Sequence, residues 1–129
     1  MPLMRFDIIE GRSPEELRTL LDAAHRAMVR AFAVPGRDRY QIVHEHPPGH
    51  MIIEDTGLDI PRSRNVIVVS VNSRPRTTES KQRFYAELCR ELKDSCGIES
   101  SDVMVNITTN TDADWSFGFG RAQFLTNEL

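Results

Sequence analysis

The chain has 129 residues, 40% of them hydrophobic and 27% charged, with a formal net charge of −3, which fits one soluble globular domain and excludes a disordered class. No basic stripe marks a nucleic-acid surface, no run of like charges marks a tail, and no apolar run approaches the roughly 20 residues needed to cross a bilayer. The start lacks a basic-then-apolar leader, so no nucleic-acid or membrane partner is expected and the cytoplasm is the default location.

A strand is expected at about residues 2 to 9, followed by a turn at Gly11-Arg12-Ser13. Ser13-Pro14-Glu15-Glu16 then opens a helix: Ser13 caps, Pro14 suits the first helical position, and Glu16 completes a Ser-x-x-Glu capping box. Apolar residues at Leu17, Leu20, Leu21, Ala24, Met28 and Phe32 recur at helical spacing, and Pro35-Gly36 reads as the stop. A strand near 39 to 45 follows. The second half has the same order: a β-branched strand from Asn65 to Asn72, a helix from about Thr77 to Ser95 stopped by Gly97, and a strand from Asp102 to Thr108.

Sliding the chain by 64 positions without a gap pairs Arg12 with Arg76, Glu15 with Glu79, Arg26 with Arg90 and Asp38 with Asp102. The common element order and capping position indicate an internal βαβ duplication within one domain spanning 1–129, with repeats at about 2–60 and 65–124. The expected fold is α+β, a two-layer sandwich in which a four-stranded mixed sheet carries two helices on one face. Pseudo-twofold pairing runs the central strands antiparallel, which lays the head of the first strand beside the tail Asn72-Ser73-Arg74-Pro75-Arg76.

The chemistry concentrates at that junction. Removal of the initiator Met1 leaves Pro2 as a secondary amine at the amino terminus, able to act as acid, base or nucleophile as its surroundings move its pKa. The 64-residue shift sets Pro2 opposite Val66, so only the first copy has such an amine. Arg74 and Arg76, separated by Pro75, are placed to converge on one anion, since guanidinium forks grip carboxylates in bidentate fashion. Asp38 follows the Pro35-Gly36 break, and its mate Asp102 reads as a turn residue. Trp115, Phe117, Phe119 and Phe124 form an aromatic tail that fits a site wall, core or a subunit interface equally well.

Pro2, Asp38, Arg74 and Arg76 on a duplicated βαβ chain resemble the tautomerase superfamily, whose members act through an amino-terminal proline. Arg39-Tyr40-Gln41, Glu54-Asp55-Thr56-Gly57-Leu58, Arg62-Ser63, Ser73-Arg74-Pro75-Arg76 and Asp112-Ala113-Asp114-Trp115-Ser116-Phe117-Gly118 are similar to the malonate semialdehyde decarboxylase branch. The resemblance implies cofactor-independent decarboxylation of a small 3-oxo acid by a homotrimer. Cationic Pro2 would serve as the acid, Asp38 would keep it charged, Arg74 and Arg76 would hold the carboxylate, and Trp115, Phe117 and Phe124 would form a water-excluding wall. The alternatives are a keto–enol tautomerase in which neutral Pro2 is the base, and a trimeric interaction protein without activity.

Other motifs point elsewhere. His44, His46 and His50 meet the first requirement of a metal site, two imidazoles on one strand face, but the intervening Pro47-Pro48-Gly49 favours an exposed loop, and the resemblance implies no metal. Cys89 and Cys96 lie on one helix face roughly 10 Å apart along the axis, too far for a disulfide. Gly118-Phe119-Gly120 lacks the strand-then-helix setting of a phosphate loop.

Overall fold

The computed structural model describes residues 1–129. Its regular elements are β1 (Leu3–Ile9), α1 (Pro14–Phe32), β2 (Tyr40–His46), β3 (Ile67–Ser73), α2 (Thr78–Cys96) and β4 (Val103–Thr109), with single 3-10 turns at Pro48–His50, Ser100–Asp102 and Asp112–Asp114. The strands form one mixed sheet in the order β2-β1-β3-β4. Its centre is the antiparallel pair β1 and β3, while β2 and β4 flank them in parallel.

The duplication is visible as spacing. β3 begins 64 residues after β1 (67 against 3) and α2 begins 64 after α1 (78 against 14). β4 begins 63 after β2 (103 against 40), so one residue is lost before the last strand. Both helices have 19 residues and are capped alike, by Ser13 accepting from the Glu16 amide and Thr77 accepting from the Ser80 amide. The reciprocal Glu16 contact closes the capping box on α1.

Alternation along the central strands decides which face is covered. Met4, Phe6 and Ile8 of β1 and Ile67, Val69 and Val71 of β3 are buried among Leu20, Ala24, Ala27 and Met28 of α1 and Phe84, Leu88 and Leu92 of α2. Small residues at Ala23, Ala27 and Ala31 lie along α1, whereas the buried positions of α2 are large, so the two helices approach closely. Their polar seam is held by Glu91, buried on α2, which accepts from Arg26 Nε at 3.0 Å and from Arg30 Nη1 at 2.6 Å on α1. The opposite sheet face has no layer over it, and Tyr40, Ile42 and Met104 are partly exposed there. No helix is long and apolar enough to cross a membrane.

The structure corrects one boundary. α1 ends before the expected Pro35-Gly36 stop, because Ala33 turns into the left-handed region at φ 51°. Its counterpart at the end of α2 is Gly97, at φ 67°, whose amide reaches the carbonyls of Leu92 and Lys93. A methyl group in that region costs energy that glycine avoids.

Two outcomes follow. Ala33→Gly should raise stability by about 0.5–1 kcal/mol, read as a shift of the urea midpoint without change in slope, because the exposed alanine already holds a glycine conformation. Glu91→Gln should lower stability at neutral pH by about 1–2 kcal/mol. Burial raises the Glu91 pKa, but the bonds from Arg26 and Arg30 outweigh it and hold the carboxyl below its ordinary 4.5. A carboxyl depressed by folding stabilises above its unfolded value and loses that contribution as pH falls, so the gap between Glu91→Gln and the parent should narrow in acid.

Candidate active site

Strand register assembles the site. Leu3, at the head of β1, pairs with Tyr40 at the head of β2 and with Asn72 near the tail of β3. Pro2 therefore lies between the loop that ends in Asp38 and the segment Ser73-Arg74-Pro75-Arg76, as the duplication predicts. Pro2 is fully buried.

The Asp38 loop is fastened to α1. His25 Nε2 donates to the Gly36 carbonyl at 2.8 Å, the Asp38 amide donates to the Pro35 carbonyl at 3.0 Å, and Arg39 Nη2 reaches Asp22 Oδ1 at 2.7 Å. These contacts hold the backbone and leave the acid free. The Asp38 side chain is buried, yet neither carboxylate oxygen has a hydrogen-bond partner. The charged group facing it is the Met1 amine, 3.8 Å from Oδ2.

Asp102, the mate of Asp38 in the second copy, serves as an internal control. It was expected to be a turn residue; instead it is a buried tie, accepting from the Ser63 amide at 2.6 Å and the Ser63 hydroxyl at 2.5 Å. Val66 stands where the first copy has Pro2. A cavity of about 590 Å³ remains at that end, around Arg12, Arg64 and Cys96. It is slightly larger than the one beside Asp38, but no aspartate lines it, Asp102 being tied to Ser63, and it has no amine. The cavity beside Asp38 measures about 570 Å³ and is lined by Met1, Arg37, Tyr40, Phe117 and Gln123 among others.

Three charges act on the amino terminus. In the chain that carries Met1, burial has the largest effect and pushes the amine below its ordinary 8.0; Asp38 opposes this, while Arg76 and then Arg74 reinforce it. The two arginines do not lie side by side on one target. Arg76 donates from Nε to the Ser73 hydroxyl at 3.1 Å and from Nη1 to the Phe32 carbonyl at 3.2 Å. Arg74 turns the other way, with Nη1 2.9 Å from Asp112 Oδ1 and its guanidinium 4.0 Å over the Phe124 ring, and its buried Nε has no partner.

The aromatic tail packs as a unit at this end. Trp115 stacks on Phe117 with centroids 5.4 Å apart, and Phe117 meets Phe124 edge-on at 5.5 Å and Tyr40 at 5.7 Å. Trp115 Nε1 donates to Asn110 Oδ1 at 2.7 Å. Phe119 does not join them: it sits at φ 61° on the tip of a turn closed between Gly118 and Arg121, and is 90% exposed.

Sequence reasoning overlooked three contributors. Gln123 is buried and pins the tail, accepting from the Phe117 amide at 2.9 Å and donating to the Gly118 carbonyl at 2.8 Å. An isolated amide side chain one residue before Phe124 was the available signal. Tyr40 lines the cavity and Asp112 pairs with Arg74; both lie within motifs already noted, but their orientation follows only from the tertiary arrangement. The histidines do not gather. His46 Nε2 lies 2.7 Å from Asp7 Oδ1, and no group of three metal-ligating side chains forms. Cys89 and Cys96 are free thiols whose pKa values burial raises.

Comparison with known proteins agrees with this geometry. Two family models described as tautomerase enzyme match residues 38–118 and 2–60. The Bacillus subtilis (strain 168) protein called probable tautomerase YrdN is 58% identical over the whole of both chains. A crystal structure of malonate semialdehyde decarboxylase superposes with a TM-score of 0.97 at 53% identity, covering 98% of each chain. That of FG41 malonate semialdehyde decarboxylase inhibited by 3-bromopropiolate gives 0.94 at 44% identity, covering 98% of this chain and 97% of the other. The chain is an enzyme of the tautomerase family, with the malonate semialdehyde decarboxylases among its near structural relatives.

Proposed function

We propose that, once Met1 is removed, the chain decarboxylates a small 3-oxo acid of the malonate semialdehyde class without a cofactor, with Pro2 as a cationic acid. The observation that carries this reading is the buried Asp38 carboxylate, which accepts no hydrogen bond and has the amino-terminal amine, 3.8 Å from Oδ2, as its ionic neighbour. A buried carboxylate without hydrogen bonds is costly, and a prolyl ammonium one residue inward from the present amine would satisfy it. Asp38 would in turn favour the charged amine and orient it.

The residues then divide the reaction. Arg76 would hold the substrate carboxylate so that its bond to carbon lies perpendicular to the carbonyl plane, with Arg74, turned to Asp112, adding its charge from further off. That C–C bond breaks, its electron pair forms an enolate on the neighbouring carbonyl, and carbon dioxide leaves. The Pro2 N–H, by hydrogen bonding to the carbonyl oxygen, would stabilise the developing negative charge. In the covalent variant the neutral amine would condense with the aldehyde to an iminium with loss of water, decarboxylation would leave an enamine instead of the enolate, and hydrolysis would release the product. Protonation of the enolate carbon gives acetaldehyde, so one proton is consumed per carbon dioxide released. Trp115, Phe117 and Phe124 would exclude water and favour loss of the carboxylate charge. Asp38 would also be placed to activate water in a hydratase side reaction.

A second reading has its own support. Burial and the two arginines depress the amine at the present amino terminus, and a neutral Pro2 would suit a general base in keto–enol tautomerisation. For assembly we infer a homotrimer, supported by the uncovered sheet face with its exposed Tyr40, Ile42 and Met104.

The test uses protein whose intact mass shows loss of Met1. Carbon dioxide release from malonate semialdehyde should fall by about 10³-fold or more in Pro2→Ala, which removes the reacting nitrogen's ring, and to a similar degree in Arg76→Ala. Turnover by Pro2→Ala at the parent rate would rule out the decarboxylase mechanism. Faster ketonisation of phenylenolpyruvate than decarboxylation by the parent would favour the base reading.

A further inference from the structure

Most charges around the site cancel in pairs, and two arginines are left without an acidic partner. On the proposed reading Asp38 balances the prolyl ammonium. Arg74 is balanced by Asp112 at 2.9 Å and stacked on Phe124, and at the cavity mouth Arg121 is balanced by Glu128 at 2.8 Å. Arg37 also lines the cavity, but it is exposed and its charge is screened by water. Arg76 lies 5.0 Å over the Phe32 ring much as Arg74 lies over Phe124, but it differs in its charge: it is only partly exposed, and it donates solely to the neutral oxygens of Ser73 and Phe32.

We propose that Asp112 is a specificity-determining residue: by neutralising Arg74 it leaves Arg76 as the one partly buried cation of the site without an acidic partner, so the site selects monoanionic over dianionic carboxylates. This deepens the proposed function and relies on it for where the substrate binds. A monocarboxylate needs one free guanidinium and finds it in Arg76. The second carboxylate of a dianion must either pull Arg74 away from Asp112 or remain unpaired beside the Phe117–Phe124 wall while Asp112 repels it. Both routes cost affinity, which is discrimination by an unfavourable contact with the wrong ligand. Two unpaired arginines would reverse this preference. The structure therefore assigns the two arginines different work although the sequence spaces them as twins.

The test reads binding rather than turnover, through the fluorescence of Trp115, the one tryptophan in the chain, with malonate as the dianion and 3-hydroxypropanoate as the monoanion. Asp112→Asn should tighten malonate binding about threefold to tenfold while 3-hydroxypropanoate stays within about twofold. Asp112→Glu, which keeps the charge, should behave as the parent. Equal tightening of both ligands, or no change in a folded Asp112→Asn protein, overturns the proposal. Arg76→Ala separates the two levels: loss of both ligands supports the assigned carboxylate site, whereas unchanged binding means the ligands sit elsewhere and overturns the site reading along with this one. A parent protein that binds both ligands but releases no carbon dioxide contradicts the proposed reaction and leaves the selectivity measurement intact.

Discussion

The antiparallel pairing of β1 with β3 is the constraint on which the other features of the site depend. Because Leu3 lies opposite Asn72, the first residues of the chain must run past the last residues of β3, where Arg74 and Arg76 begin the turn into α2. Because β2 runs parallel to β1, its head lies at the same end, and the Asp38 loop arrives with it. A one-residue slip would turn Met4, Phe6 and Ile8 out of the core. Burial of these side chains thus fixes the position of the amino terminus, and hydrophobic packing supplies a precision that loops alone would lack.

The two copies have resolved the same local problem differently. Each presents an aspartate just before its second strand, and each aspartate is buried. Asp102 receives two hydrogen bonds from Ser63 and stabilises the strap that precedes β3. Asp38 receives none and faces the amino terminus instead. A buried carboxylate that accepts no hydrogen bond is uncommon, since folds satisfy nearly all such groups. On the proposed reading, the duplicated unit keeps stability in one copy and a poised charge in the copy that owns the amino terminus.

Much of this was legible in the sequence because it rests on local rules. The capping box at Ser13 and Glu16, the glycine after α2 and the β-branched run of β3 each specify their element directly, and the 64-residue shift supplies the topology. The helix stop at Ala33 was not legible, because alanine gives no sign of a left-handed conformation that its mate Gly97 announces openly. The divergence of Arg74 from Arg76 was also hidden. It depends on Asp112 and Phe124, which lie far along the chain and reach Arg74 only after β4 has docked beside β3. The aromatic residues were recognised as a group, but Gln123, which pins two backbone groups of their turn, carries its information in geometry rather than in residue type.

The central claim is that Asp38 keeps a proline ammonium charged against the burial and the two arginines that would neutralise it. The most direct measurement is a nitrogen NMR titration of Pro2 in the chain lacking Met1, alone and with Asp38→Asn. The cationic role predicts a pKa above about 8 in the parent and a fall of about one unit or more in Asp38→Asn. A parent value below about 7 that does not respond to the substitution would contradict it.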